Sequence, residues 1–80
     1  MSMLDNIKKW YREDDLILAP GLDEAILGVE ESGRIIYSVS KCMEILMEEG
    51  MKEDYAHEYL ENFKMVWFGD MTPIWCLDDL

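Results

Sequence analysis

The single histidine, His57, has carboxylates at helical spacing on both sides: Glu53 four residues before it, Asp54 three before and Glu61 four after. On a helix those offsets bring the side chains to one face, and imidazole with carboxylates is a donor set that holds divalent metals. Asp54-x-x-His57 also has the spacing of the carboxylate–histidine pairs in helical-bundle metal sites, which take a second copy from another helix. This chain has no second copy, so only a homo-oligomer would complete such a centre. A solvated helix face of mixed charge produces the same pattern, and the expectation is a chain without metal or other cofactor.

Cys42 and Cys76 lack the spacing of a metal ligand pair or of a disulfide framework. Cys42 shares a helical face with Ile45 and Leu46, and Cys76 lies in the apolar run PIWCL. Cysteine in such surroundings acts as a small hydrophobe, whereas a catalytic thiol needs a base and an electropositive setting. Both are read as structural, reduced thiols. Adjacent carboxylates recur at Asp14-Asp15, Asp23-Glu24, Glu30-Glu31, Glu48-Glu49 and Asp78-Asp79. Neighbours in sequence point in different directions, so these are poor acid/base pairs. Calcium-loop spacing and a phosphate-cradling glycine loop are both missing. Nothing in these residues specifies an enzyme.

The elements that must carry these residues follow from periodicity and breakers. SMLDNIKKWYR places Met3, Leu4, Ile7, Trp10 and Tyr11 at spacings of three and four, a short amphipathic helix at about 2–12 with Ser2 as its cap. Pro20-Gly21 marks a turn after an extended 16–19, and residues 22–25 form a single turn. AILGVEE and RIIYSVS, joined at Ser32-Gly33 by a two-residue turn, read as a hairpin at about 25–40, with Gly28 marking a bulge or a close approach. Ser38 or Ser40 caps a helix at about 41–49 that Gly50 stops, with Met43 and Met47 at the margins of its apolar face. A second long helix, about 52–67, carries Tyr55, Ala56, Tyr59, Leu60, Phe63, Val66 and Trp67 as a broad apolar stripe and ends at Gly69. Thr72-Pro73 opens a last strand at about 73–77.

The expected fold is a single α+β domain over residues 1–80: a small antiparallel sheet, the hairpin plus the C-terminal strand, packed against two or three helices. In that last strand Ile74 and Cys76 face one way and Trp75 and Leu77 the other. Either the strand is covered on both sides or a tryptophan faces a partner.

Composition narrows the partners. Eighteen acids against seven bases give a net charge of −11, while half the residues are apolar. That aromatic-rich composition excludes a disordered acidic tail. Lys8, Lys9 and Arg12 are the only clustered bases, so direct nucleic-acid binding and attachment to an anionic membrane are disfavoured. There is no apolar stretch of the ~20 residues that a membrane span needs, and no signal segment. The natural electrostatic complement is a basic protein.

The stretches GLDEAILGVEE, KCMEILMEEGMKEDYAHEYLE and WFGDMTPIW resemble those of a family of small uncharacterised bacteriophage-encoded proteins. The resemblance covers about residues 21–76. It is carried by Ala25, Ile26, Gly28 and Val29; by Lys41, Cys42, Glu44, Ile45, Leu46 and Met47; and by Gly50, Met51, Tyr59, Phe63, Gly69, Thr72 and Pro73. Lys52 departs from it, standing where a Ser or Thr helix cap is usual. The resemblance implies a phage accessory protein acting in the cytoplasm of the infected bacterial host, and it brings no activity with it.

The expected function is therefore a non-enzymatic acidic accessory protein that binds a host or phage protein, such as a basic nucleic-acid-binding or defence protein, and inhibits it. Trp10 and Trp75 with Asp23, Glu24, Glu30 and Glu31 are the candidate contact residues. The alternatives are a self-associating structural or assembly protein that uses its Trp-rich apolar surface and, further off, a metal-dependent activity at His57.

Overall fold

The computed structural model describes residues 3–66 and 69–78; the expected Ser2 cap, Trp67 and Asp79 lie outside them. The fold is α+β, a three-stranded mixed sheet with three helices. Chain order is α1 (Met3–Ile7), β1 (Ile26–Val29), β2 (Ile35–Ser38), α2 (Val39–Glu48), α3 (Glu53–Lys64) and β3 (Ile74–Cys76). Single 3₁₀ turns occupy Glu13–Asp15, Asp23–Ala25 and Gly69–Met71.

α1 is shorter than its periodicity suggests. Leu4 and Ile7 are buried, but Trp10 is 84% exposed. Past Ile7 the backbone tightens, with Lys9 and Trp10 N–H groups donating to the carbonyls of Asn6 and Ile7 three residues back. A helix this short holds only where its apolar face packs, and its fully buried residues are Leu4 and Ile7. Tyr11, half-buried against the core past the end of the helix, donates its hydroxyl to the Glu31 carbonyl.

The hairpin forms with Leu27 as the extra residue between the pairs Ile26↔Tyr37 and Gly28↔Ile36, so the bulge expected at Gly28 is present. Its connection differs from the two-residue turn. Glu30 N–H donates to Arg34 C=O and Gly33 N–H to Glu30 C=O, each at 2.7 Å. The loop is thus three residues, 31–33, ending on Gly33 at φ +102°, the usual three-residue hairpin solution. A Cβ at Gly33 would lie 2.8 Å from Met71 Cε and 3.4 Å from Tyr11 Cδ1.

β2 is the central strand, and β3 pairs with it in parallel, Ile36↔Ile74, Tyr37↔Trp75 and Ser38↔Cys76. This corrects the all-antiparallel sheet. α2 and α3 together form a crossover long enough to return the chain to the same end of the sheet, which a parallel pairing requires.

Ser38 both ends β2 and caps α2, its Oγ accepting the Lys41 N–H at 3.1 Å. α2 closes on Gly50 (φ +101°), with Gly50 N–H on the Met47 carbonyl and Met51 N–H on the Leu46 carbonyl. α3 begins at Glu53, and the Lys52 side chain supplies no cap. It stops at Lys64, earlier than expected: Val66 N–H bonds back to Phe63 rather than to residue 62. Its apolar stripe is also narrower than the pattern implied, for Ala56 and Leu60 are buried while Tyr55 is exposed.

The core sits between the helices and the sheet face bearing Ile26, Ile35 and Tyr37, joined by Leu22, Ala25, Cys42, Leu46, Ala56 and Leu60. Tyr37 is fully buried, and its hydroxyl accepts the Ala19 N–H at 2.7 Å, fixing the extended 16–19 segment to the sheet. Trp75 stacks on Tyr37 (centroids 5.0 Å apart, 19° between planes) and packs against the core. The tryptophan side of β3 is therefore the core side. Ile74 and Cys76 lie half-buried on the other face with Ile36.

Candidate functional site

Helical spacing builds a groove where α2, α3 and the segment after β3 meet, with a volume of about 350 Å³. Val39, Met43 and Met47 recur every four residues along α2 and form its apolar wall, with Ser40 and Glu44 on the adjacent row. Glu53 and His57, one turn apart on α3, form the opposite wall, and Leu77 and Asp78 close one side. Its lining is mostly apolar in the middle and acidic at the edges.

Asp78 holds the corner. Its carboxylate accepts from Ser38 Oγ at 2.5 Å, Ser40 Oγ at 3.1 Å and the Ser40 backbone N–H at 3.2 Å. These bonds, the Ser38 hydroxyl foremost, hold the Asp78 carboxyl below its ordinary pKa despite some desolvation. The anion also lies at the N-terminal end of α2, where the helix dipole favours negative charge. One short network thus ties the end of β2, the start of α2 and the chain after β3.

The four candidate metal ligands separate. Glu53 and His57 share the groove, whereas Glu61 accepts from Lys64 Nζ at 3.0 Å and Asp54 is exposed outside the lining. Among the described residues no three His, Cys, Asp or Glu side chains are grouped as a metal ion would need. The two thiols are free. Burial pushes the Cys42 thiol up to about 12, with the Asp78 charge adding to the shift, and a thiol kept protonated is unsuited to nucleophilic attack.

The candidate contact residues stand on separate elements. Trp10 projects from the turn after α1. Asp23 and Glu24 are exposed on a 3₁₀ turn. Glu30 precedes the hairpin loop and Glu31 is its first residue; the Glu30 carboxylate accepts the Ser32 hydroxyl, which lowers its pKa. Trp75 presents only part of its ring, beside a small cavity of about 90 Å³ formed with residues 17–20, Phe63 and Pro73.

The residues that matter most in the groove were the least legible. Met43 and Met47 carried a signal, their four-residue spacing at the margin of α2. Asp78 carried none, because its partners lie 38 and 40 residues away. No helix among the described residues is long and apolar enough to cross a membrane. Comparison with protein-family models, curated proteins and solved structures finds no match.

Proposed function

We propose that the chain is a non-enzymatic accessory protein that works by binding a protein with a basic surface, in the manner of an inhibitor of a nucleic-acid-binding or defence protein. The observation that carries this reading is the charge excess on a compact core. If every one of the seven bases neutralised one acid, eleven of the eighteen carboxylates would still be uncompensated (18 − 7 = 11). A field of that size steers a cationic partner and repels nucleic acid. The assignment to a phage acting in the cytoplasm of its bacterial host rests on the resemblance over about residues 21–76 alone.

Affinity capture from infected host lysate, followed by binding measurements on the retained protein, tests the reading. Affinity is expected to fall steeply between low and physiological salt, because the interacting charges are exposed. A complex indifferent to salt counts against it. Self-association is a second reading, favoured by Trp10, which is 84% exposed and of a type that interfaces prefer. Light scattering at micromolar concentration decides it, since a strict monomer removes the idea.

A further inference from the structure

We infer that the groove between α2 and α3 is a docking site for a short cationic amphipathic segment of a partner protein, one or two apolar side chains entering between Met43, Met47 and Leu77 while flanking Lys or Arg side chains meet Glu44, Glu53 and Asp78. The inference rests on the acidic-binder reading and gives it a location.

Two properties converge in this groove. The first is an apolar floor that accommodates different shapes. Met43 and Met47 are unbranched, polarisable side chains of the kind that line promiscuous binding grooves, and Met47 and Leu77 remain 45% and 56% exposed. The second is charge complementarity. Three carboxylates surround that floor, and Asp78 is fixed in place by the Ser38 and Ser40 hydroxyls. Lys41 pairs with Glu44 at 3.8 Å, but both side chains are more than half exposed, so their pairing is weak and easily exchanged. The volume of about 350 Å³ stands at the low end of the range for ligand clefts, which suits apolar anchors rather than a whole helix. Of the open patches on the outer side of α3, the one around Tyr59, Asn62, Phe63 and Val66 has no carboxylate in its lining, and the adjoining one around Tyr55, Glu58, Tyr59 and Asn62 has a single carboxylate and no methionine or aliphatic side chain.

The test titrates ¹⁵N-labelled protein with a synthetic amphipathic Leu/Lys peptide, with a Leu/Glu peptide of the same pattern as the counterpart. Amide shifts are expected to cluster on residues 39–47, 53–57 and 77–78. Glu44→Lys is expected to weaken binding by about tenfold, against about twofold for Glu31→Lys at the far end of the sheet, which changes net charge equally. Met47→Ser, which leaves charge alone, is expected to weaken it as well. Three results overturn the docking site and leave the broader reading standing: shifts that map elsewhere, equal losses from the two charge reversals, or equal binding of the Leu/Glu peptide. Concentration-dependent shifts in the groove without peptide would assign it to a second copy and likewise overturn the proposal. Failure of both the Leu/Lys peptide and polylysine to bind at low salt defeats the acidic-binder reading itself.

Discussion

Replacing Ser38 by Ala removes a hydroxyl that serves two elements at once. Ser38 is fully buried; its Oγ accepts the Lys41 N–H at the start of α2 and donates to Asp78 beyond β3. Loss of a Ser N-cap costs about 0.5–2 kcal/mol. Asp78 keeps the Ser40 hydroxyl and backbone N–H, so it is not orphaned and adds no full desolvation penalty. For a chain of this size each kcal/mol shifts Tm by about 4–8 °C, which puts the expected drop at about 2–16 °C in a circular-dichroism melt at neutral pH. The pH dependence separates the two roles of the hydroxyl. The folded Asp78 carboxyl has a depressed pKa, chiefly through Ser38. Its contribution is therefore present above the unfolded carboxylate pKa and lost as pH falls through the lower folded value. In acid, once the folded Asp78 carboxyl is protonated, the Ser38→Ala penalty is expected to shrink to the helix-cap part alone. A variant that melts with the wild type at neutral pH, or a penalty equal at both pH values, refutes the coupling between α2 and the C-terminal segment.

Tyr37→Phe keeps the stack on Trp75 but leaves the buried Ala19 N–H without its acceptor; a loss of about 1–3 kcal/mol is expected, read as a lower urea midpoint at unchanged slope. The alkaline limb follows from two groups raised by burial, Cys42 from 9.0 and Tyr37 from 10.0, each to about 12. Stability is present below the unfolded values and falls from about pH 9 to about 12 as the unfolded chain loses protons first, and Tyr37→Phe is expected to flatten the upper part of that fall. Gly33→Ala is expected to destabilise by about 1 kcal/mol or more: the Met71 methyl can move aside, but φ +102° is strained for any residue with a Cβ. Cys76, half-buried, is expected to react with a thiol reagent in the native protein, and Cys42 only on unfolding; two equally fast thiols would contradict the burial of Cys42.

Much of the fold was legible because it is local. The bulge next to Gly28, the Ser38 cap and the Gly50 stop are each specified by residues within a few positions of one another, through the conformational limits of glycine and the orphan N–H groups of a helix start. Element ends were less legible. α1 stops at Ile7 and α3 at Lys64 because packing, rather than periodicity, decides how far a short helix runs. Of the groove, the helical faces were readable from Met43/Met47 and Glu53/His57, but Val39, expected in the hairpin and found in the first turn of α2, was not, nor was the juxtaposition of the two helices.

By itself the sequence determined the class of the fold, its acidity and the buried positions Cys42, Leu46, Ala56 and Leu60 of the two long helices, since these follow from composition and from periods of two and 3.6 residues. Only tertiary structure decided three things. β3 joins β2 in parallel, Trp75 lies on the core side against Tyr37, and Asp78 caps the corner of α2 from 40 residues away. Strand direction, the buried side of a strand and a remote carboxylate–hydroxyl bond all depend on how the crossover closes, and no period along the chain encodes that closure.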